Sequence, residues 1–254
     1  MNNERPSPKI PIRLKKEPLL EAIFEIRFTG AKQSVAELLP GLIFKAMPEK
    51  YPETVRLPAA DIPARILEND PNLKFVPKIR LQNQNQAIQI GEHVVSISCR
   101  RPYSGWAVFS KDIRNLIFAI RETKLIRAPE RFSLKYIDLI ALNPPLGLKC
   151  LNIDLRIGEY ALAQKPVQIR TEIEEADLTH ILQIVSPAIA SLPGEEKQTK
   201  GILIDIDSIW NPDEKNPWEG IESRLDDIHS SCKQMFFSLL TQRTIDLLAP
   251  EYGE

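Results

Sequence analysis

Arg100-Arg101-Pro102-Tyr103-Ser104-Gly105-Trp106 gathers two guanidiniums, two aromatic rings and a glycine into one short segment. Guanidinium forks match phosphate or carboxylate oxygens, and aromatic faces stack on planar groups. If a helix starts at Trp106, its free main-chain N–H groups add to the attraction for an anion. Lys135 and Tyr136 extend this candidate binding set on a later strand. The plain structural reading is that Tyr103 and Trp106 pack while the arginines are solvated. A second constellation is acidic. Glu172 and Glu174, then Asp205 and Asp207, stand two residues apart on alternating segments, so each pair shares one sheet face. Paired carboxylates hold Mg²⁺ in phosphoryl chemistry; a solvated sheet face explains the same spacing. His229, in LDDIHSS, is the histidine whose context permits a role in a pocket, or at the edge of a core.

Several chemistries are excluded by spacing. The ten glycines never lie closer than seven residues apart (Gly194 to Gly201), so the dinucleotide fingerprint, the P-loop and the G-x-S-x-G elbow are all absent. The three cysteines form no C-x-x-C and the three histidines no H-E-x-x-H. No metal site and no cofactor are expected.

The elements that must position these residues follow from periodicity. LEAIFEIRF alternates and predicts a strand ended by Thr29-Gly30. Ser34, with Glu37 three residues on, predicts a capped helix over 35–47 that kinks or breaks at Pro40-Gly41. Five prolines make 48–72 an irregular covering loop. Short strands follow at 74–81, 87–91 and 93–100, the first two joined by a QNQNQ turn. A helix over 106–123 carries an apolar stripe, and 132–142 forms another strand. Strands near 151–157, 167–175, 178–186 and 200–208 complete the set. Half-exposed alternating strands favour antiparallel pairing, which predicts an α+β fold with a curved sheet and helices on one face. Residues 1–18, with four prolines, read as a basic, partly mobile arm. Residues 19–254 read as one domain, or as two fused halves, 19–143 and 148–250.

The last helix, 218–248, is the most regular element. Apolar residues at 218, 221, 225, 228, 232, 235 and 239 form a heptad seam, which either packs on the chain's own sheet or makes a homodimer. Charge is split as well. Residues 1–127 hold 21 Lys+Arg and 13 Asp+Glu, a balance of +8, whereas residues 128–254 balance at −9. The halves either present separate faces or neutralise each other across an internal interface.

LLEAIFEIRF, YSGW, FSLKYIDLI, LIDIDSIW and LDDIHSSCKQMFFSLLTQRTIDLL together resemble a sporadically distributed prokaryotic family with no assigned activity. On that resemblance Tyr103, Trp106, Tyr136, Asp205, Asp207, His229, Phe236 and Thr241 fall at recurrent positions. Lys135 and Asp138 depart from the Arg and Asn expected there. Sporadic distribution goes with mobile or defence-associated systems. The charged strands are also similar to those of triphosphate-tunnel enzymes, whose acidic-x-acidic-x-basic signature Glu21, Glu25 and Arg27 do not meet. No apolar run reaches the roughly 18 residues of a membrane span, and MNNERPSPKI has no signal-like apolar run, so a soluble cytoplasmic protein is expected. The leading expectation is a non-catalytic binding protein whose basic half contacts an anionic or protein partner, nucleic acid among them. The alternative is a Mg²⁺-dependent enzyme of phosphate esters.

Overall fold

The computed structural model describes residues 10–29, 31, 33–191, 198–212 and 217–253. Residues 1–9 of the expected arm, Gly30 of the first turn and Asn216 ahead of the last helix lie outside the described residues. In chain order the elements are β1 (Arg13–Leu14), β2 (Leu19–Phe28), α1 (Val35–Ala46), β3 (Glu53–Arg56), α2 (Ala64–Asn69), β4 (Ile79–Gln82), β5 (Gln86–Ile90) and β6 (Val94–Arg100). Then come α3 (Trp106–Thr123), β7 (Pro129–Ile140), β8 (Arg156–Ile157), β9 (Tyr160–Ala161), β10 (Val167–Glu175), β11 (Leu178–Ala190), β12 (Thr199–Trp210), α4 (Pro217–Leu239), α5 (Gln242–Leu247) and β13 (Pro250–Glu251).

Nine strands form one antiparallel sheet in the order β10-β11-β12-β7-β2-β6-β5-β4-β3. The fold is α+β. The sheet crosses both halves of the sequence, because β7 pairs with β2 on one side and β12 on the other. Alternation sorts its side chains into two faces. Phe24, Ile26 and Phe28 of β2, Phe132 and Leu134 of β7, and Ile204 and Ile206 of β12 are all fully buried on the face covered by α1, α3 and α4. Burying such a side chain is worth about 1.5–3 kcal/mol. Glu21, Glu25, Arg27, Arg131, Lys135, Asp205 and Asp207 share the opposite face.

Several expectations need correction. Helix α1 does not break at Pro40-Gly41: it runs from Val35 to Ala46 with Pro40 inside it and Gly41 exposed, its first turn held by a strong cap. Its cap is completed from afar. Ser34 Oγ accepts from the Glu37 N–H, but Glu92 accepts from Ser34 Oγ and the Val35 N–H at 3.0 and 3.1 Å. The stretch 48–72 is not an irregular loop: it supplies edge strand β3, a 3-10 turn over Pro58–Asp61 and α2. No strand spans 151–157. A 3-10 turn (Gly147–Cys150), a single bridge at Leu151 and the two-residue hairpin of β8 and β9 occupy that region.

The heptad seam faces inward. Ile221, Leu225, Ile228 and Cys232 are buried against the chain's own sheet, so the seam is not free to make a homodimer. The helix also stops at Leu239, and α5 starts again from a Thr241 cap. Exposed apolar side chains lie elsewhere, Leu38, Leu42 and Phe44 on α1 and Phe118 on α3. Where α3 meets α4 the two charge-unequal halves neutralise each other: Arg114 pairs with Asp226 at 2.8 Å and Arg121 with Glu222 at 3.0 Å. Near the N-terminus, β1 pairs with β13, which ties residues 13–14 to the C-terminal segment.

Candidate functional site

The site is a cavity of about 520 Å³ between the sheet, the start of α3 and the middle of α4, with residues 12–19 along its edge. Tyr136 and Asp138 enter from β7. Their even register matches that of Phe132 and Leu134, so both point to the helix-covered face. Tyr103, Ser104, Gly105 and Trp106 come from the turn between β6 and α3. Gly105 is the N-cap at φ 84°, left-handed backbone that glycine adopts without strain, and it offers no capping side chain. From α4, His229, Cys232, Lys233, Phe236 and Phe237 line the opposite wall. Positions 229, 232, 233 and 236 repeat at helical spacing, which puts them on one face.

Aromatic contacts fix the walls. The Trp106 ring stacks on His229 with centroids 4.0 Å apart and planes within 7°. Its Nε1–H donates to Asp226 Oδ1 at 2.9 Å, and Arg114 holds the other oxygen of that carboxylate. His229 Nδ1 and the Tyr136 hydroxyl are hydrogen-bonded at 2.9 Å. Tyr103 meets Tyr136 edge-on at 6.4 Å. The Tyr103 hydroxyl is buried and makes no well-formed hydrogen bond to any described residue.

Burial dominates the electrostatics. The Asp138 carboxyl is 6% exposed and is pushed up to about 8, first by desolvation and then by the Glu17 and Asp205 carboxylates. No described side chain or backbone group hydrogen-bonds it. Desolvation, with Lys233 adding to it, takes His229 down to about 4. Burial pushes the Cys232 thiol up to about 12, raises both tyrosine hydroxyls and lowers Lys233. Burial also raises Glu17, against the opposing pull of Arg101 and Arg13. At neutral pH the cavity therefore holds a protonated acid, a neutral imidazole, a neutral thiol and two phenols.

Four residues singled out in the sequence converge here: Tyr103, Trp106, Tyr136 and His229. The others do not. Arg100 ends β6 on the helix-free face, 3.5 Å from Glu21 Oε1. Arg101 is exposed and reaches the cavity only through its field on Glu17. Lys135, one residue out of phase with Tyr136, sits across the sheet, 3.7 Å from Asp205 and 3.9 Å from Asp207, beside the Arg131–Asp207 pair at 2.9 Å. Glu172 and Glu174 stand exposed on β10, with Glu172 paired to Arg170. The two carboxylate pairs are thus separated by β11, and no set of three or more metal-ligating side chains converges among the described residues.

Comparison with known proteins found no matching family model and no matching curated relative.

Sequence reasoning missed Asp138, Glu17, Arg13 and Lys233. One signal was available for Asp138: it is a carboxylate at a core-phase position of FSLKYIDLI, where an apolar residue belongs. It also missed a buried cross-tie at the other end of α4. His180, fully buried, contacts Ser208 Oγ through Nδ1 at 2.8 Å and both Ser231 Oγ and Glu175 through Nε2. The composition suggests a triad, with Ser208 and Glu175 on opposite nitrogens of the ring. A triad serine must meet its substrate, and Ser208 and His180 are both fully buried. This cluster joins β11, β12 and α4.

Proposed function

We propose that this chain is a non-catalytic binding protein whose site is the aromatic-walled cavity between β7, α3 and α4, and whose ligand is a small organic molecule. The observation that carries the reading is the convergence of Tyr103, Trp106, Tyr136 and His229, from three separate stretches of chain, around about 520 Å³ of space. Concave, largely apolar spaces with a few convergent polar groups are where small ligands bind. The states of the polar groups favour binding over catalysis. A nucleophile needs a lowered pKa or an adjacent base, yet burial raises the Cys232 thiol and both tyrosines and leaves His229 a weak base. The reading keeps the binding character expected from sequence but moves the contact from Arg100 and Arg101 to the cavity. The Mg²⁺-dependent alternative finds no support in the separated carboxylate pairs.

A panel of several hundred small organic compounds, screened by thermal stabilisation, tests this. The expected result is a hit that raises the Tm of the full chain and loses its effect in Trp106→Ala, with the variant folded by circular dichroism. No stabilising compound, or hits indifferent to both Trp106→Ala and Tyr136→Phe, would overturn it.

A further inference from the structure

Resting on the cavity reading, we infer that the ligand is a small organic acid, its apolar body against Trp106, Tyr136 and Phe236 and its anionic group held by Lys233 and the first backbone N–H groups of α3. Three independent features point to an anion. Lys233 lines the cavity with no carboxylate in ion-pairing distance among the described residues, and desolvation alone acts on it. A charge left half-buried without a partner is costly, and an incoming anion supplies the partner.

The 18-residue helix α3 opens on the cavity through Ser104, Gly105 and Trp106 with no side-chain cap, so its free N–H groups and positive dipole end face the same space. The third feature is an unpartnered polar group inside. Asp138 lines the cavity, is more than nine-tenths buried and has no hydrogen-bond partner among the described residues. The Tyr103 hydroxyl is buried too, but beside that of Tyr136, which interacts with it. A carboxyl in its acid form is a donor. Lysine, backbone amide and protonated acid are three donors facing one cavity, and an oxyanion is the chemistry that accepts from all of them. Glu17 is the other carboxyl of the lining; burial raises its pKa, and Arg101 and Arg13 oppose that shift. An ammonium ligand would instead meet Lys233, Arg13 and the positive end of α3.

Three probes of one size separate the cases: 3-phenylpropionate, 3-phenylpropan-1-ol and 3-phenylpropylamine, titrated calorimetrically into the full chain at pH 6.5. The acid is expected to bind about tenfold or more tighter than the alcohol, with the amine weakest. Lys233→Met is expected to cost the acid about tenfold while leaving the alcohol's affinity in place. The groups acting on Asp138 are Glu17 ahead of β2, Tyr136 on β7, Cys232 on α4 and, through the sheet, Asp205 on β12. Tyr103, His229, Lys233 and Arg13 line the same cavity. Above about pH 8 the donor at Asp138 ionises, and acid affinity falls by up to about tenfold per pH unit. Asp138→Asn keeps an N–H donor and removes that decline.

Equal affinity for acid and alcohol, a preference for the amine, or an acid affinity that rises above pH 8 would overturn the anion assignment. The cavity reading would survive if Trp106→Ala still abolished binding. Silence of all three probes beside positive hits in the wider panel rejects the organic acid alone. Silence of the panel as well rejects the cavity.

Discussion

Replacing Asp138 with asparagine should stabilise this protein, and the gain should depend on pH in a defined way. The folded chain holds the Asp138 proton up to about pH 8, whereas an exposed aspartate releases it near 3.8. Because the folded state binds the proton more tightly, the carboxyl is harmless below about pH 4. Between these values it destabilises the fold by up to about 1.36 kcal/mol for each pH unit. The interval is about four pH units, so the full cost above pH 8 approaches about 5–6 kcal/mol, with about 4 kcal/mol already present at pH 7. Asparagine has nearly the same shape as the protonated acid and never ionises. Urea unfolding of the wild type and Asp138→Asn, measured at intervals from pH 4.5 to 9, gives the difference directly. The two should nearly coincide at pH 4.5 and separate by several kcal/mol at pH 8, with unchanged m-values. A difference that is flat with pH would refute the argument, because it would mean the carboxyl ionises in the folded chain as it does in water. A variant less stable than wild type at pH 8 would refute it too.

Three more outcomes follow from the same structure. His229, held down to about 4 from an ordinary 6.5, should stay neutral by NMR at pH 5; below pH 6.5 the unfolded chain gains a proton that the folded one refuses, so His229→Gln should remove up to about 3 kcal/mol of acid destabilisation. His180→Ala leaves Ser208 buried without its partner and opens a void in a fully buried position, and should cost about 2–4 kcal/mol by denaturant unfolding, whereas loss of a triad-like catalytic role would leave stability untouched. Gly220→Ala would place a Cβ 2.5 Å from Trp210 Cη2, and its overpacking should lower stability by about 1–3 kcal/mol, visible as a drop in Tm.

The local elements were legible because local rules decide them. Helix α3 has the predicted bounds, since its apolar stripe has the helical period and Gly105 precedes it. The QNQNQ turn forms because Asn83 Oδ1 accepts from the Asn85 and Gln86 N–H groups two and three residues on. Prolines misled where context overrides them: Pro40 rides in a helix whose cap is supplied by Glu92, 58 residues from Ser34. The grouping of functional residues was legible only in part. Tyr103 and Trp106 were found together because they are neighbours in the chain. Lys135 and Tyr136 are neighbours as well, yet strand alternation sends them to opposite faces, one to an ion-pair cluster and one to the cavity.

Amino-acid sequence alone determined the fold class, the α3 helix, the inward-or-outward phase of β2 and the absence of glycine-rich phosphate loops. These depend on spacing along the chain, which the sequence states outright. Tertiary structure decided which phases share a cavity, that the α4 seam is spent on the chain's own sheet, and that the +8 and −9 halves meet in ion pairs where α3 crosses α4. It also decided the chemistry of Asp138. A carboxyl's proton affinity is set by the water it loses and the charges it faces, and both are fixed only when Glu17, Asp205 and α4 close around it.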